Sequence, residues 1–150
     1  MKIILLTAVM LIAVFLMALG RTQSETDREL AEKLLESAEV QQVQLSAAGD
    51  PPVFQSRSRA ALFFERKGMQ SLIRGVIVIE NDRVIDLVIL QSHEGLDHDA
   101  LDAPSFRAAY RNKPAKPPLI VDAVSGATIS SQAVTDAVNA RLVQWTKYAE

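Results

Sequence analysis

Hydrophobic residues follow three different rhythms along this chain. Ile3 to Leu19 is apolar at every position except Thr7, a run at the short end of what spans a bilayer and longer than the core of an ordinary signal peptide. From Ser24 to about Leu45 helix formers dominate, with Leu30, Leu34, Ala38 and Gln41 or Gln42 along one stripe. Ser24 stands three residues before Asp27 as a cap, and Gly49-Asp50-Pro51-Pro52 stops the run. The spacing predicts a stalk or packing helix between the first segment and the remainder.

Beyond Pro52 the rhythm becomes that of strands. Ala60 to Glu65 predicts a strand and Arg66-Lys67-Gly68 a turn. Leu72 to Glu80 and Arg83 to Gln91 are β-branched-rich runs joined by Asn81-Asp82, which predicts a hairpin. In the first run Val76 and Val78 are apolar, and so are Ile77 and Ile79; Val84, Ile85, Leu87, Val88, Ile89 and Leu90 repeat the pattern in the second. Such strands have both faces covered. The hairpin is therefore expected at the centre of a twisted antiparallel sheet.

The third rhythm is helical again. His93 to Asp102 reads as a polar loop, Ser105 to Tyr110 as a short helix with Phe106 and Tyr110 on one face, and Asn112 to Pro118 as a Lys/Pro-rich connector. Pro117 to Asp122 predicts a short strand. Val134, Val138, Leu142 and Trp145 space an amphipathic helix over Gln132 to Trp145, with Ser130 or Ser131 as its cap. The expected class is α+β: a twisted antiparallel sheet flanked by helices and preceded by one N-terminal transmembrane or signal helix. Residues 1–20 form the anchor or signal segment, 21–50 the connecting helix and 51–150 the body.

Composition narrows the chemistry. The chain has 150 residues, enough for one modest domain plus an anchor. Its 16 basic and 18 acidic residues leave a net charge of −2 without a basic run, so nothing favours nucleic acid. The absence of cysteine excludes disulfides, thiolate zinc sites, iron–sulfur clusters and covalent haem. Lys2 precedes the apolar run, while Glu25, Asp27, Glu29 and Glu32 follow it beyond Arg21. That bias predicts an inside amino terminus and a domain on the periplasmic or extracellular side of the membrane. Ala18-Leu19-Gly20 also suits a signal cleavage site, and either outcome leaves the domain outside the cytoplasm.

The densest chemistry lies in Asp122-Ala123-Val124-Ser125-Gly126-Ala127-Thr128-Ile129-Ser130-Ser131, a tight loop at the mouth of the last helix. Unpaired N–H groups and the positive end of the helix dipole face such a loop. Gly126 and Ala127 leave room for a bulky group near the backbone, and Thr128 offers an oxygen that can be esterified. The plainer reading is a turn and a helix cap, for which Ser, Gly and Thr are common residues. No Gly-x-Gly-x-x-Gly occurs, which argues against a dinucleotide-binding fold.

Ser125-Gly126-Ala127-Thr128-Ile129-Ser130-Ser131 followed by Ala133-Val134 resembles the signature of the FMN-binding domain family. That family includes the G subunit of the Rnf ferredoxin:NAD oxidoreductase and the C subunit of the sodium-translocating NADH:quinone reductase. The resemblance implies FMN carried on Thr128 through a phosphoester bond, installed by a separate flavin transferase that uses FAD and magnesium. It also implies redox subunits of a membrane complex as partners, and a cofactor site of Ser125, Gly126, Ala127, Thr128, Ile129 and Ser130. Family members usually carry a loop of the form His-x-Glu-Thr-Pro-Gly-Leu-Gly near the flavin. Here Ser92-His93-Glu94-Gly95-Leu96-Asp97 keeps the His, Glu, Gly and Leu but lacks the Thr-Pro step, and His93, Glu94 and Leu96 join the expected cofactor contacts.

Thr128 is then a substrate of the transferase and not a catalytic residue, because an unactivated alcohol needs a base and a metal from elsewhere. Attachment at the phosphate end leaves the ring free for redox chemistry. The expected function is an electron relay; the rival readings are an unflavinylated structural or assembly module of a membrane redox complex and a small exported metal-binding or hydrolytic domain. His93 and His98 are five apart with a glycine between them, which fails the spacing of a zinc-protease helix. A looser metal set would use His93, Asp97, His98 and Asp102. Trp145, Phe63 and Phe64 are expected in the core or an interface. Arg57, Arg59 and Arg74 are expected to be solvated, although each has the reach to meet a phosphate.

Overall fold

The computed structural model describes residues 23–45, 49–94 and 100–150. The apolar run at Ile3 to Leu19, and the loop positions Leu96, Asp97 and His98, lie outside those residues. Among the described residues no helix is long and apolar enough to cross a membrane.

Five strands form one antiparallel sheet in sequence order: β1 (Gln41–Val43), β2 (Val53–Ser56), β3 (Arg59–Lys67), β4 (Leu72–Glu80) and β5 (Arg83–Gln91). Helix α1 (23–34) precedes the sheet; α2 (Pro104–Ala108) and α3 (Thr128–Ala149) follow it. The expected α+β class with an antiparallel sheet and flanking helices is what forms. The hairpin of β4 and β5 falls on the predicted residues, and both turn residues, Asn81 and Asp82, take positive φ. Paired β-branched strands and a two-residue loop of Asn and Asp carry that signal locally. The hairpin occupies one end of the sheet, with β3 at the centre, because β1 and β2 add strands only beyond β3.

Both faces of the sheet are covered, as the double apolar pattern requires. One face of β3 and β4, with Leu62, Phe64, Ile73 and Ile77, packs against Phe106 and Tyr110 from the α2 segment and against Val134, Val138 and Leu142 of α3. The opposite face, with Ala61, Phe63, Val76 and Val78, packs against Ala31 and Leu35, at and just beyond the end of α1, and against Val40. Arg74 fastens that second layer: it pairs with Asp27 of α1 and with Glu65 of β3, and its guanidinium lies 5.8 Å from the Phe63 ring centre. The expectation of a solvated Arg74 is thereby corrected, and Arg59 likewise sits between Glu36 and Glu80. Phe63 and Phe64 are core, and Trp145 packs against it.

Several boundaries differ from expectation, including those of both helices that follow the sheet. The helix expected to reach Leu45 ends at residue 34, and residues 41–43 become β1 by pairing with β2. Lys67 extends β3, so the turn to β4 moves to residues 68–71, closed by the Gly68 N–H on the Ser71 carbonyl at 2.8 Å. The segment from Leu119 to Val124 is not a strand. Instead of a neighbouring strand, the Asn139 side-chain amide from α3 satisfies the Leu119 backbone, accepting from its N–H at 2.7 Å and donating to its carbonyl at 2.9 Å.

Gly75 faces the Phe64 ring across the β3–β4 pair. A methyl group there would run into that ring and come within 2.9 Å of the Val88 carbonyl oxygen. Gly75→Ala should therefore lower stability by about 1–3 kcal/mol through overpacking, read as a drop in the thermal midpoint; an unchanged midpoint would mean the sheet relaxes freely at this point.

Candidate functional site

Helix α3 begins at Thr128, three or four residues earlier than a cap at Ser130 or Ser131 would place it. Ala127 is the N-cap, with no side-chain cap bond and no acidic residue in the first turn. Ser131 acts from inside the helix instead. Its hydroxyl donates to the Ala127 carbonyl at 2.8 Å and accepts from the Val124 N–H at 3.0 Å, folding the loop back on the helix start. The Ser131 carbonyl in turn accepts from the Thr135 hydroxyl at 3.1 Å, and Thr135 meets the buried Tyr110 hydroxyl at 2.8 Å. Burial pushes the Tyr110 phenol up to about 12, so it stays protonated in this chain of bonds.

The loop over that start is open. Ser125, Gly126, Thr128 and Ile129 are exposed while Ala127 is buried. Gly126 takes φ +85, which favours glycine, and no atom lies within 4 Å of where its Cβ would stand. Among the described residues the Thr128 hydroxyl has no hydrogen-bond partner, so an exposed alcohol sits at a helix start that has no side-chain cap.

Glu94 holds this helix start in place. Its side chain is 2% exposed, yet both oxygens are satisfied. Oε1 accepts from the Ser71 N–H at 2.6 Å and the Ser71 hydroxyl at 2.9 Å; Oε2 accepts from the Met69 N–H at 2.7 Å and the Ser130 hydroxyl at 2.7 Å; the Gln70 N–H lies between them at 3.2 and 3.3 Å. Burial opposes the charge, but the bonds from Ser130, Ser71 and Gln70 prevail and bring the carboxyl from an ordinary 4.5 down to about 2. Gly68 leaves room for it: a Cβ there would stand 2.8 Å from the Glu94 carboxyl carbon. His93 is exposed, and its N–H donates to the Ser71 hydroxyl at 3.0 Å.

The structure thus brings Glu94 and His93 to the same corner as Ser130, two residues from Thr128. Ser125, Gly126, Ala127 and Ile129 surround Thr128 by sequence, and Leu96 lies outside the described residues. The sequence reading missed the turn of Met69, Gln70 and Ser71, because only the fold places it against Glu94. Gly68 before a polar Gln-Ser pair was the available hint. Ser92, next to His93, is buried, and among the described residues its hydroxyl has no partner; it lies at the edge of a cavity of about 250 Å³ that His93 and Asp102 also line. No group of three or more potential metal ligands occurs among the described residues.

Residues 68–143 match the FMN-binding domain family. The matched stretch contains Gly68, the Glu94 carboxylate and the start of α3. Among solved structures, NqrC of Shewanella oneidensis shares the fold with a TM-score of 0.50 and 23% identity, over 59% of this chain and 54% of that one. The chain therefore spans about half the length of that protein. No curated protein matches it.

The Glu94 bonds set a pH dependence. Because the folded-state value lies below the ordinary one, the carboxylate contributes its full stabilisation above pH 4.5 and loses it as pH falls from there through about 2. Glu94→Gln should cost about 3 kcal/mol at pH 7, since it removes a charged acceptor and turns an amide toward buried donors. Thermal unfolding of the two proteins should converge between pH 4.5 and 2; a gap that stays constant with pH would show that the charge is not what stabilises this corner.

Proposed function

The chain belongs to the FMN-binding domain family, and from that membership we propose that it is a membrane-anchored, extracytoplasmic electron-transfer flavoprotein subunit carrying FMN on Thr128 through a phosphoester bond. One observation carries the attachment: the exposed Thr128 hydroxyl opens a 22-residue helix that has no side-chain cap, beside a glycine with free space around it. These residues fit a phosphate. The backbone at Gly126 and Ala127 gives it room, and the helix start favours its remaining negative charge by roughly 0.3–1 kcal/mol. The first turn of α3 contributes no acidic side chain of its own, and the nearby Glu94 charge is taken up by its donors from residues 69–71 and Ser130.

Attachment needs a flavin transferase. The Thr128 hydroxyl would displace AMP from FAD, forming the Oγ–phosphorus bond as the pyrophosphate bond breaks, with its proton passing to a base of the transferase. FMN, when bound, supplies reversible electron transfer. The chain supplies the rest. Thr128 fixes the cofactor against loss outside the cytoplasm, Ser125 to Ser130 surround the phosphate, and His93 borders the site. Because Thr128 is exposed, the cofactor would lie at the protein surface, where redox subunits of an Rnf-like or NADH:quinone-reductase-like membrane system can approach. Residues 1–20 would hold the domain at the inner membrane, facing the periplasmic or extracellular side.

Co-expression with a flavin transferase should give a protein that gains the mass of one FMN moiety on the peptide bearing Thr128 and fluoresces after denaturing electrophoresis. Thr128→Ala should lose the signal and keep its unfolding free energy within about 0.5 kcal/mol of wild type, as expected for an exposed position. An unmodified wild-type peptide would overturn the proposal and favour an unflavinylated assembly module. Deleting residues 1–20 should release the protein from the membrane fraction; retention there would overturn the assigned anchor.

A further inference from the structure

Two large apolar side chains are exposed on the segments that bond the Glu94 carboxylate: Met69 and Ile129, each 58% exposed. They come from distant parts of the chain, yet one oxygen joins their supports. The Met69 N–H and the Ser130 hydroxyl both donate to Glu94 Oε2, each at 2.7 Å. The turn that carries Met69 therefore faces the helix turn that carries Thr128 and Ile129 across a single atom. Among the described residues neither side chain is needed to complete the core on this side of the sheet, which is closed by Ile73, Val134 and their neighbours.

We propose that Met69 and Ile129 form an apolar shelf for the isoalloxazine ring of the FMN on Thr128, with Glu94 as the positioning residue that holds the two halves of the shelf together. This rests on the attachment proposed above. The chemistry of the surface favours a planar aromatic ring. A thioether makes favourable contacts with aromatic edges and faces and adapts its shape through three rotatable bonds, and Ile129 follows the attachment residue directly. Met69 is anchored through its backbone N–H, so its side chain stays free to settle on a ligand while the turn beneath it remains fixed. Leu72 is a natural control. It is 48% exposed at the start of β4, directly after the turn, but it alternates with Ile73 and so points to the sheet face away from α3.

The test uses the full chain, flavinylated by a co-expressed transferase, and reads flavin fluorescence intensity and anisotropy. Met69→Ser keeps the N–H bond to Glu94; it should raise emission several-fold and lower anisotropy as the ring leaves the shelf. Met69→Leu should restore wild-type values, and Leu72→Ser should leave them unchanged. Ser130→Ala, which cuts the helix side of the Glu94 bracket and spares the Met69–Ser71 side, should resemble Met69→Ser. The inference is overturned if Met69→Ser and Ser130→Ala both emit like wild type, or if Leu72→Ser changes emission as much as Met69→Ser. A flavinylated wild type with unresponsive emission sinks the shelf alone, whereas a wild type with no covalent flavin sinks both the shelf and the attachment.

Discussion

A buried carboxylate with donors on every side organises this protein's functional corner. Glu94 receives three backbone N–H groups from the β3–β4 turn and two serine hydroxyls, one of them from the first turn of α3. Removing such a charge from water is costly unless its acceptor capacity is filled. Here filling it forces two distant segments together. The exposed Thr128 hydroxyl is consequently presented at a helix start whose first turn is bonded to Glu94, and the turn of residues 68–71 is held to the same carboxylate.

The rest of the fold supports that corner from both sides. Val134, Val138 and Leu142 seat α3 on one face of the sheet, while Ala31 and Leu35 cover the other. Since the strands between have apolar residues pointing both ways, neither layer is dispensable. Arg74 ties α1 to the sheet through Asp27.

Local signals in the sequence foretold the parts that depend on local physics. The hairpin of β4 and β5 was legible to the residue because β-branched runs and an Asn-Asp turn specify it without outside help. Helix α3 and the two-sided sheet were legible from spacing alone. What failed depended on distant partners. Strand β1 has three residues, mostly exposed, and exists only through β2; no pattern marks it. The expected strand before α3 was replaced by a side-chain amide, Asn139, doing the work of a neighbouring strand. Ser131 was read as a cap, but its hydroxyl serves the loop from within the helix. At the candidate site the motif singles out the loop that opens α3, whereas Met69, Gln70 and Ser71 acquire meaning only where Glu94 meets them.

The central claim is that Glu94 assembles the site in the absence of flavin. Amide hydrogen exchange of the cofactor-free full chain tests it most directly, because the Met69, Gln70 and Ser71 N–H groups belong to a surface turn that would otherwise exchange freely. Strong protection of these three amides at neutral pH, comparable with that of neighbouring β4, is the predicted result. Exchange at the rate of an unstructured loop would contradict the account.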